Sequence, residues 1–263
     1  MGNFGFEEGR NCWKVAQAER FAVLVDGEAY FSAVRSALIA AERRVFILAW
    51  DIHSQVELLR KDPEDGLPTA LADLILEQLE RKPVLEVYIL LWSYASIYAL
   101  EREPLFFGNT PWDKHPRLHF AQDDEHPVAA SHHQKLVVVD GRIAFCGGFD
   151  LSKWRWDTAE HLAEEPRRID VEGKPYPPFH DLQALVDGAA ASALEALCLD
   201  RWGRATGERL APVEPPQSDP WPHEVVALLQ GHACAISRTL PAYDDQREVR
   251  EIEQLYVDMI EAA

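Results

Sequence analysis

Apolar runs of strand length alternate with amphipathic segments of helix length, and this alternation limits the chain to few architectures. Val45–Trp50 and Val84–Trp92 are apolar and rich in β-branched or aromatic residues, as buried strands are. Glu28–Arg44 carries apolar residues at helical spacing, and Thr69 is placed to cap a second helix that ends near Arg81. A helix between two buried strands predicts parallel pairing, so we expect an α/β fold.

Further strands predict that the sheet is mixed. Asp140-Gly141 separates Leu136–Val139 from Ile143–Cys146, and Asp-Gly between two apolar runs is a strong hairpin signal. Leu182–Val186 reads as another strand and leads into an Ala-rich helix that ends near residue 204. The sequence therefore predicts a mixed β-sheet flanked by helices, with a short extra helix at residues 97–101.

Composition restricts the partners and the location of the protein. The formal net charge is −18, from 44 acidic and 26 basic residues, whereas nucleic-acid binders need a basic surface. Nucleic acid is therefore an unfavoured partner. No apolar run reaches the ~20 residues that span a bilayer, and residues 1–10 show no secretion signal. The four cysteines lack paired spacing, so we expect a cytoplasmic protein, with peripheral binding at the inner membrane face as an option.

The segment from residue 131 to residue 150 carries the chemistry. His133 and Lys135 are two residues apart on a predicted strand, so both side chains should lie on one face. An imidazole beside an ammonium suits attack on a phosphodiester, because the lysine offsets charge on the non-bridging oxygens. Each residue taken alone has a simpler explanation: a structural histidine, a solvated lysine, a turn aspartate at Asp140 and a bulge at Gly147-Gly148. The combined spacing is more specific than any of its parts.

The spacing His133-x-Lys135-x4-Asp140-x6-Gly147-Gly148 resembles the signature of the phospholipase D superfamily. Four other segments resemble bacterial phospholipase D and cardiolipin synthase-like enzymes: Gly9–Trp13, Phe46–Asp51, Pro178–Asp181 and Val186–Ala190. The resemblance implies a half of the phospholipase D fold in residues 1–206. It also implies that residues 207–263 are a Pro-rich connector and the start of a second half.

The resemblance also implies roles for single residues. His133 is the implied nucleophile that forms a phosphohistidine, Lys135 the phosphate-binding residue, and Asp181 the acceptor that orients the His133 ring. A carboxylate at that position would fix the tautomer of the histidine and raise its basicity. We further assign Asp140 to the catalytic set, and we assign Gly147, Gly148, Asp150 and His180 to substrate binding. His132 competes with His133, but its opposite strand parity disfavours it. The resemblance implies no metal and no cofactor.

The chain departs from the family at one point. Family sites combine two His-x-Lys motifs, and among the ten histidines only His133 has a lysine two residues later. The chain is therefore interpreted as the N-terminal half of a longer enzyme, or as a single-motif protein that completes its site with a second copy. The expected reaction is phospholipid hydrolysis or transphosphatidylation, with water or an alcohol as acceptor. A dimeric nuclease-like phosphodiesterase and a catalytically silent fragment are the alternatives.

Overall fold

One large sheet with helices on both faces organises the chain in a computed structural model, which describes residues 5–93, 103, 111–128 and 130–263. The predicted helix at residues 97–101 lies outside the described residues. The strands are β1 (Lys14–Val25), β2 (Arg44–Ala49), β3 (Glu86–Trp92), β4 (Leu118–Asp123), β5 (Leu136–Val139), β6 (Ile143–Gly147), β7 (Leu182–Asp187), β8 (Leu229–Ile236), β9 (Thr239–Leu240) and β10 (Val249–Arg250), and the helices are α1 (Asp26–Ala40), α2 (Leu71–Arg81), α3 (Gly188–Thr206) and α4 (Glu251–Ala262).

The eight-stranded sheet has the order β4-β3-β2-β5-β6-β7-β1-β8. Strands β2, β3 and β4 run parallel to their neighbours within this group, with α2 in the connection from β2 to β3. All other pairs in the sheet are antiparallel. The prediction of an α/β fold with a mixed sheet between helices is confirmed.

The sheet is buried on both faces near its centre. Along β2, Val45 and Ile47 join the apolar cluster under α1 and α2, while Phe46 and Leu48 join the cluster under α3. This double burial explains why β2 is apolar without interruption instead of alternating with polar residues. The two clusters cover both faces of the central strands, and the ends of those strands carry the site.

Strand β1 is longer than the sequence indicated. A strand was predicted only for Val23–Val25, whereas β1 begins at Lys14. Its first part alternates exposed polar residues with the small buried residues Ala16 and Ala18, and alanine has little intrinsic preference for strands. Pairing with β7 on one side and β8 on the other holds this segment extended.

The predicted cap of α2 is wrong. Ala70 occupies the N-cap position and no side chain caps the helix, so Thr69 does not have this role. Helix α1 begins at Asp26 and ends at Ala40, earlier at both ends than predicted.

Part of the segment 207–263 belongs to the same sheet, because β8 pairs with β1 from Lys14↔Ile236 to Phe21↔Leu229. The division of the chain at residue 206 stays a prediction. None of the described helices combines the length and the apolar character that crossing a bilayer requires.

Candidate active site

His133 and Lys135 lie directly before β5, in the middle of the sheet. The strand begins at Leu136, so the motif precedes it instead of lying within it as predicted. Lys135 still continues the pairing of β5 with β6, because its carbonyl oxygen accepts a hydrogen bond from the Gly147 N–H at 3.4 Å. The Lys135 Nζ in turn donates to the His133 carbonyl oxygen at 3.2 Å. The strand end therefore fixes the position of both residues.

Lys135 is a buried cation with one carboxylate partner and one aromatic neighbour. Its side chain is 5 % exposed, and its Nζ lies 3.4 Å from Asp150 Oδ2. The same Nζ lies 5.8 Å from the centroid of the Trp50 ring. Burial lowers the pKa of the Lys135 ammonium below its ordinary value, and the attraction of Asp150 opposes this shift. The low-dielectric surroundings would strengthen the attraction of this ammonium for a phosphate.

Asp150 joins this cation to the end of β2. Its Oδ1 accepts hydrogen bonds from the backbone N–H groups of Trp50 at 2.9 Å and Asp51 at 3.1 Å. Its side chain is 1 % exposed. Asp150 contacts Lys135 in this structure, and its predicted role in substrate binding stays a prediction.

The environment of His133 favours the neutral imidazole. Burial is the largest effect that lowers its pKa, and the positive charges of Lys135 and Arg155 lower it further, whereas Asp181 raises it. The Trp50 ring lies edge-on to the His133 ring, with centroids 5.7 Å apart. Because a neutral imidazole retains a free lone pair, this environment suits a nucleophile at pH 7.

Asp181 is near His133, but the predicted hydrogen bond is not formed. Within the described residues, no hydrogen bond or ion pair joins the Asp181 carboxylate to the His133 ring. Asp181 Oδ1 instead accepts the Leu182 backbone N–H at 2.8 Å. Asp181 therefore acts on His133 in this structure only through its charge.

Opposite shifts in the pKa of His133 are expected from two substitutions. Asp181→Asn removes a charge that raises this pKa, so the pKa should fall further below its ordinary value. Arg155→Gln removes a charge that lowers it, so the pKa should rise. An NMR titration of the His133 imidazole measures both shifts without an activity assay. The His119 imidazole, paired with Glu86 at 2.7 Å, is the internal control, and shifts of the same sign at His133 would contradict this account.

The two glycines at the end of β6 are required by the chain itself. A Cβ at Gly147 would lie 2.5 Å from the Leu182 carbonyl oxygen, and a Cβ at Gly148 would lie 2.1 Å from the Asp181 carboxylate. Real Cβ atoms do not approach so closely, so glycine lets β7 and Asp181 pack against this strand end. The residues Asp181–Gln183 make this close approach, and the predicted role of the two glycines in substrate binding stays a prediction.

Asp140 lies at the far end of β5 from Lys135, about 16 Å along the strand. Its carboxylate is fully buried and accepts the backbone N–H groups of Glu42, Arg43 and Arg44 at 2.7–2.8 Å. Asp140 and Gly141 both have positive φ, as the hairpin turn between β5 and β6 requires. The geometry does not support the predicted catalytic role of Asp140. Its carboxylate instead stabilises the backbone of the connection from α1 to β2.

His132 belongs to a different set of contacts. Its Nε2 lies 3.2 Å from Asp123 Oδ1, and Asp123 also accepts a hydrogen bond from Arg201 of α3 at 2.5 Å. This arrangement directs His132 away from Lys135 and Asp150. It supports His133 as the reactive histidine.

His180 lies beside the N-terminus of α1. Its side chain is 63 % exposed, and its Nδ1 lies 2.7 Å from Asp26 Oδ1. The predicted role of His180 in substrate binding stays a prediction.

Three residues near the predicted set were missed from the sequence: Trp50, Arg155 and Asp26. Trp50 follows β2, and the pairing of β2 with β5 brings it beside His133. Arg155 comes from the loop after β6, and Asp26 is the first residue of α1. Of these three residues, only Trp50 has a signal in the sequence, because it ends a predicted buried strand. Its contact with His133 depends on the order of the strands in the sheet, which no local pattern specifies.

A comparison with protein families matches the family described as Phospholipase D over residues 37–225. This match covers most of the chain and includes His133, Lys135, Asp150 and Asp181. The chain belongs to the phospholipase D family.

Curated relatives carry the same family name. Phospholipase D zeta 2 of Arabidopsis thaliana is 26% identical over 264 residues, which cover 89% of this chain and 23% of that protein. Phospholipase D C of Dictyostelium discoideum is 28% identical over 214 residues, 69% of this chain and 12% of that protein. The chain thus spans about a quarter or less of the length of these relatives. Both relatives are eukaryotic, and the predicted likeness to bacterial enzymes stays a prediction.

Solved structures include the phospholipase D family member Nuc from Salmonella typhimurium. It matches at a TM-score of 0.42 and 15% identity, over 72% of this chain and 99% of that one. The phosphatidylserine synthase of Haemophilus influenzae matches at a TM-score of 0.40 and 14% identity, over 71% of this chain and 38% of that one.

Proposed function

We propose that the chain carries one half of a phospholipase D-type phosphodiesterase site, in which His133 attacks the phosphorus of a phospholipid. The observation that supports this most is a histidine kept neutral beside a buried, tethered lysine at the end of a central strand. A neutral nucleophile next to a fixed cation is what attack on an anionic phosphodiester needs.

The proposed reaction has two steps. A ring nitrogen of His133 forms a bond to phosphorus, the bond to the leaving alcohol breaks, and the leaving oxygen takes a proton from an acid. Water or an alcohol then attacks the phosphohistidine, gives up its proton to the same group and releases His133. Lys135 balances the charge of the non-bridging oxygens throughout, while Asp150 keeps its ammonium in place.

A second His-x-Lys motif completes the proposal, and this sequence contains only one. The acid that protonates the leaving oxygen therefore comes from another polypeptide segment, either a C-terminal half or a second copy of this chain. The single motif favours one alternative, a homodimeric nuclease-like phosphodiesterase, but the net charge of −18 opposes binding of nucleic acid. We propose phospholipid as the substrate, at a cytoplasmic location with peripheral membrane contact.

Transfer of the phosphatidyl group to ethanol tests this proposal. An active assembly that contains this chain should convert phosphatidylcholine and ethanol to phosphatidylethanol, because an alcohol can replace water in the second step. Phosphatidylethanol and choline are measured by mass spectrometry, with Lys135→Met as the inactive comparison. Release of choline without phosphatidylethanol would exclude the transfer step, and cleavage of DNA but not lipid would favour the nuclease alternative.

A further inference from the structure

Three side chains converge beside the first residue of α1. Asp26, His161 and His180 each offer one ligand atom, and these atoms all lie within 4.8 Å of one another. His180 Nδ1 is 2.7 Å from Asp26 Oδ1, and His161 Nε2 is 3.0 Å from Asp26 Oδ2. The two histidine rings meet edge to face with centroids 5.0 Å apart.

Asp26 is the unusual member of this cluster. It is 1 % exposed, and its Oδ2 accepts no hydrogen bond although His161 lies beside it. Its φ is +67°, a conformation that costs an aspartate more than a glycine. A buried carboxylate oxygen without a hydrogen bond is costly, and a bound cation would offset that cost.

A second carboxylate, that of Asp157, contacts the ring nitrogen of His161 that faces away from Asp26. His161 Nδ1 lies 3.2 Å from Asp157 Oδ2, which leaves Nε2 directed at Asp26. Asp157 is fully buried and is held by Arg168, whose Nη1 donates to its Oδ1 at 2.9 Å. Carboxylate–histidine pairs of this kind are the usual outer shell of a histidine-ligated metal.

We propose that Asp26, His161 and His180 bind a divalent transition-metal ion of the zinc type. Two imidazole nitrogens and one carboxylate oxygen are ligands that zinc accepts, and the exposed side of His180 leaves a fourth position open to water. Tetrahedral zinc separates its ligand atoms by about 3.3 Å. The three ligand atoms here lie within 4.8 Å of one another, a spacing that a single ion can bridge. The proposal does not depend on the phosphodiesterase function.

Such an ion would join the start of α1 to the loop between β6 and β7, which carries both histidines. Asp26 follows β1, His161 lies in the loop after β6, and His180 precedes β7. The Asp26 backbone N–H also donates to the Asp181 carbonyl oxygen at 3.1 Å, so the ion would secure the segment that carries Asp181. No sequence spacing predicts this site, because Asp26 lies far along the chain from the two histidines.

Zinc binding by the purified, chelator-treated chain tests the proposal. Titration calorimetry with Zn²⁺ alone should show one ion bound per chain, and Co²⁺ should give the visible absorption of a tetrahedral site. Asp26→Asn and His180→Gln should each weaken this binding by more than the roughly 10–100-fold that loss of an outer-shell partner costs. Asparagine tolerates the left-handed backbone at position 26, and the side chain of His180 is exposed, so both variants should fold.

His119→Gln is the matched control. His119 also pairs with one carboxylate, with its Nε2 2.7 Å from Glu86 Oε2, but it lies outside the three-residue cluster. This variant should bind Zn²⁺ like the unaltered chain. The proposal is overturned if the folded chain binds no stoichiometric Zn²⁺, or if the Asp26 and His180 variants bind it as tightly as the control.

Discussion

Alanine at position 133 should abolish turnover in any active assembly that contains this chain. Removing a covalent nucleophile disables both steps, and comparable losses reach about 10⁴-fold or more. His132 and Lys135 are poorly placed to replace His133, because His132 contacts Asp123 and Lys135 contacts Asp150. The measurement is kcat/KM for phosphatidylcholine cleavage with the unaltered chain and the variant side by side.

His132→Ala is the control for this result. The substitution removes an ion pair with Asp123, but Asp123 keeps its contact with Arg201, so the network should survive. Activity should therefore fall far less than in His133→Ala. Equal losses in the two variants would show that His133 has been assigned wrongly. Mass spectrometry of trapped protein should also find the phosphatidyl group on His133 and not on His132.

The isolated chain should be a poor enzyme. Protonation of a leaving group by a positioned acid contributes about 10²–10⁴-fold, and this sequence supplies no second His-x-Lys motif to provide it. A second lysine near the phosphate is lacking for the same reason. We expect little choline release by the purified chain at low concentration, and recovery when a C-terminal half from a related enzyme is added.

Exposed apolar residues next to the site agree with this expectation. Val25 faces Leu182 across the pairing of β1 with β7, and both are exposed, at 44% and 47%. They adjoin Asp181, so a partner that brings the second motif would cover them. Self-association of the isolated chain should follow, and light scattering measures it. Strong metal-independent turnover that disappears on dilution would instead indicate a symmetric dimer and contradict the half-enzyme interpretation.

The fold was largely predictable because its central strands are uniformly apolar. Double burial of β2 and β3 leaves an unmistakable run of apolar residues, and Asp140-Gly141 identifies the hairpin of β5 and β6. The first half of β1 was not predictable, because its alanines and charged residues have weak strand preferences and only its partners hold it extended. A local sequence pattern indicates which residues are buried. The extended conformation of β1 depends instead on pairing with β7 and β8, which lie far away in the chain.

The site was predictable as a motif but not as a geometry. The spacing of His133 and Lys135 identified a reactive pair, yet the same motif misassigned Asp140, which lies at the other end of β5. Asp150 was recognised, but its role as the partner of Lys135 depends on a turn after β6 that no spacing predicts. Trp50 lies near His133 because of the order of the strands, and Arg155 because of the path of the loop after β6. Local sequence patterns predict neither the strand order nor the loop path.

The position of β1 between β7 and β8 has a consequence for the order in which the chain can fold. Phe21 pairs with Val186 on one side and with Leu229 on the other, so β1 leaves the ribosome before either of its two partner strands is made. Contacts of such long range slow folding, and an unpaired strand is prone to join another chain in the meantime. During synthesis, β2, β3 and β4 have neighbours to pair with early, while β1 remains a free edge until β7 is complete. A chaperone that covers this edge should therefore increase the fraction of the protein that reaches its native state.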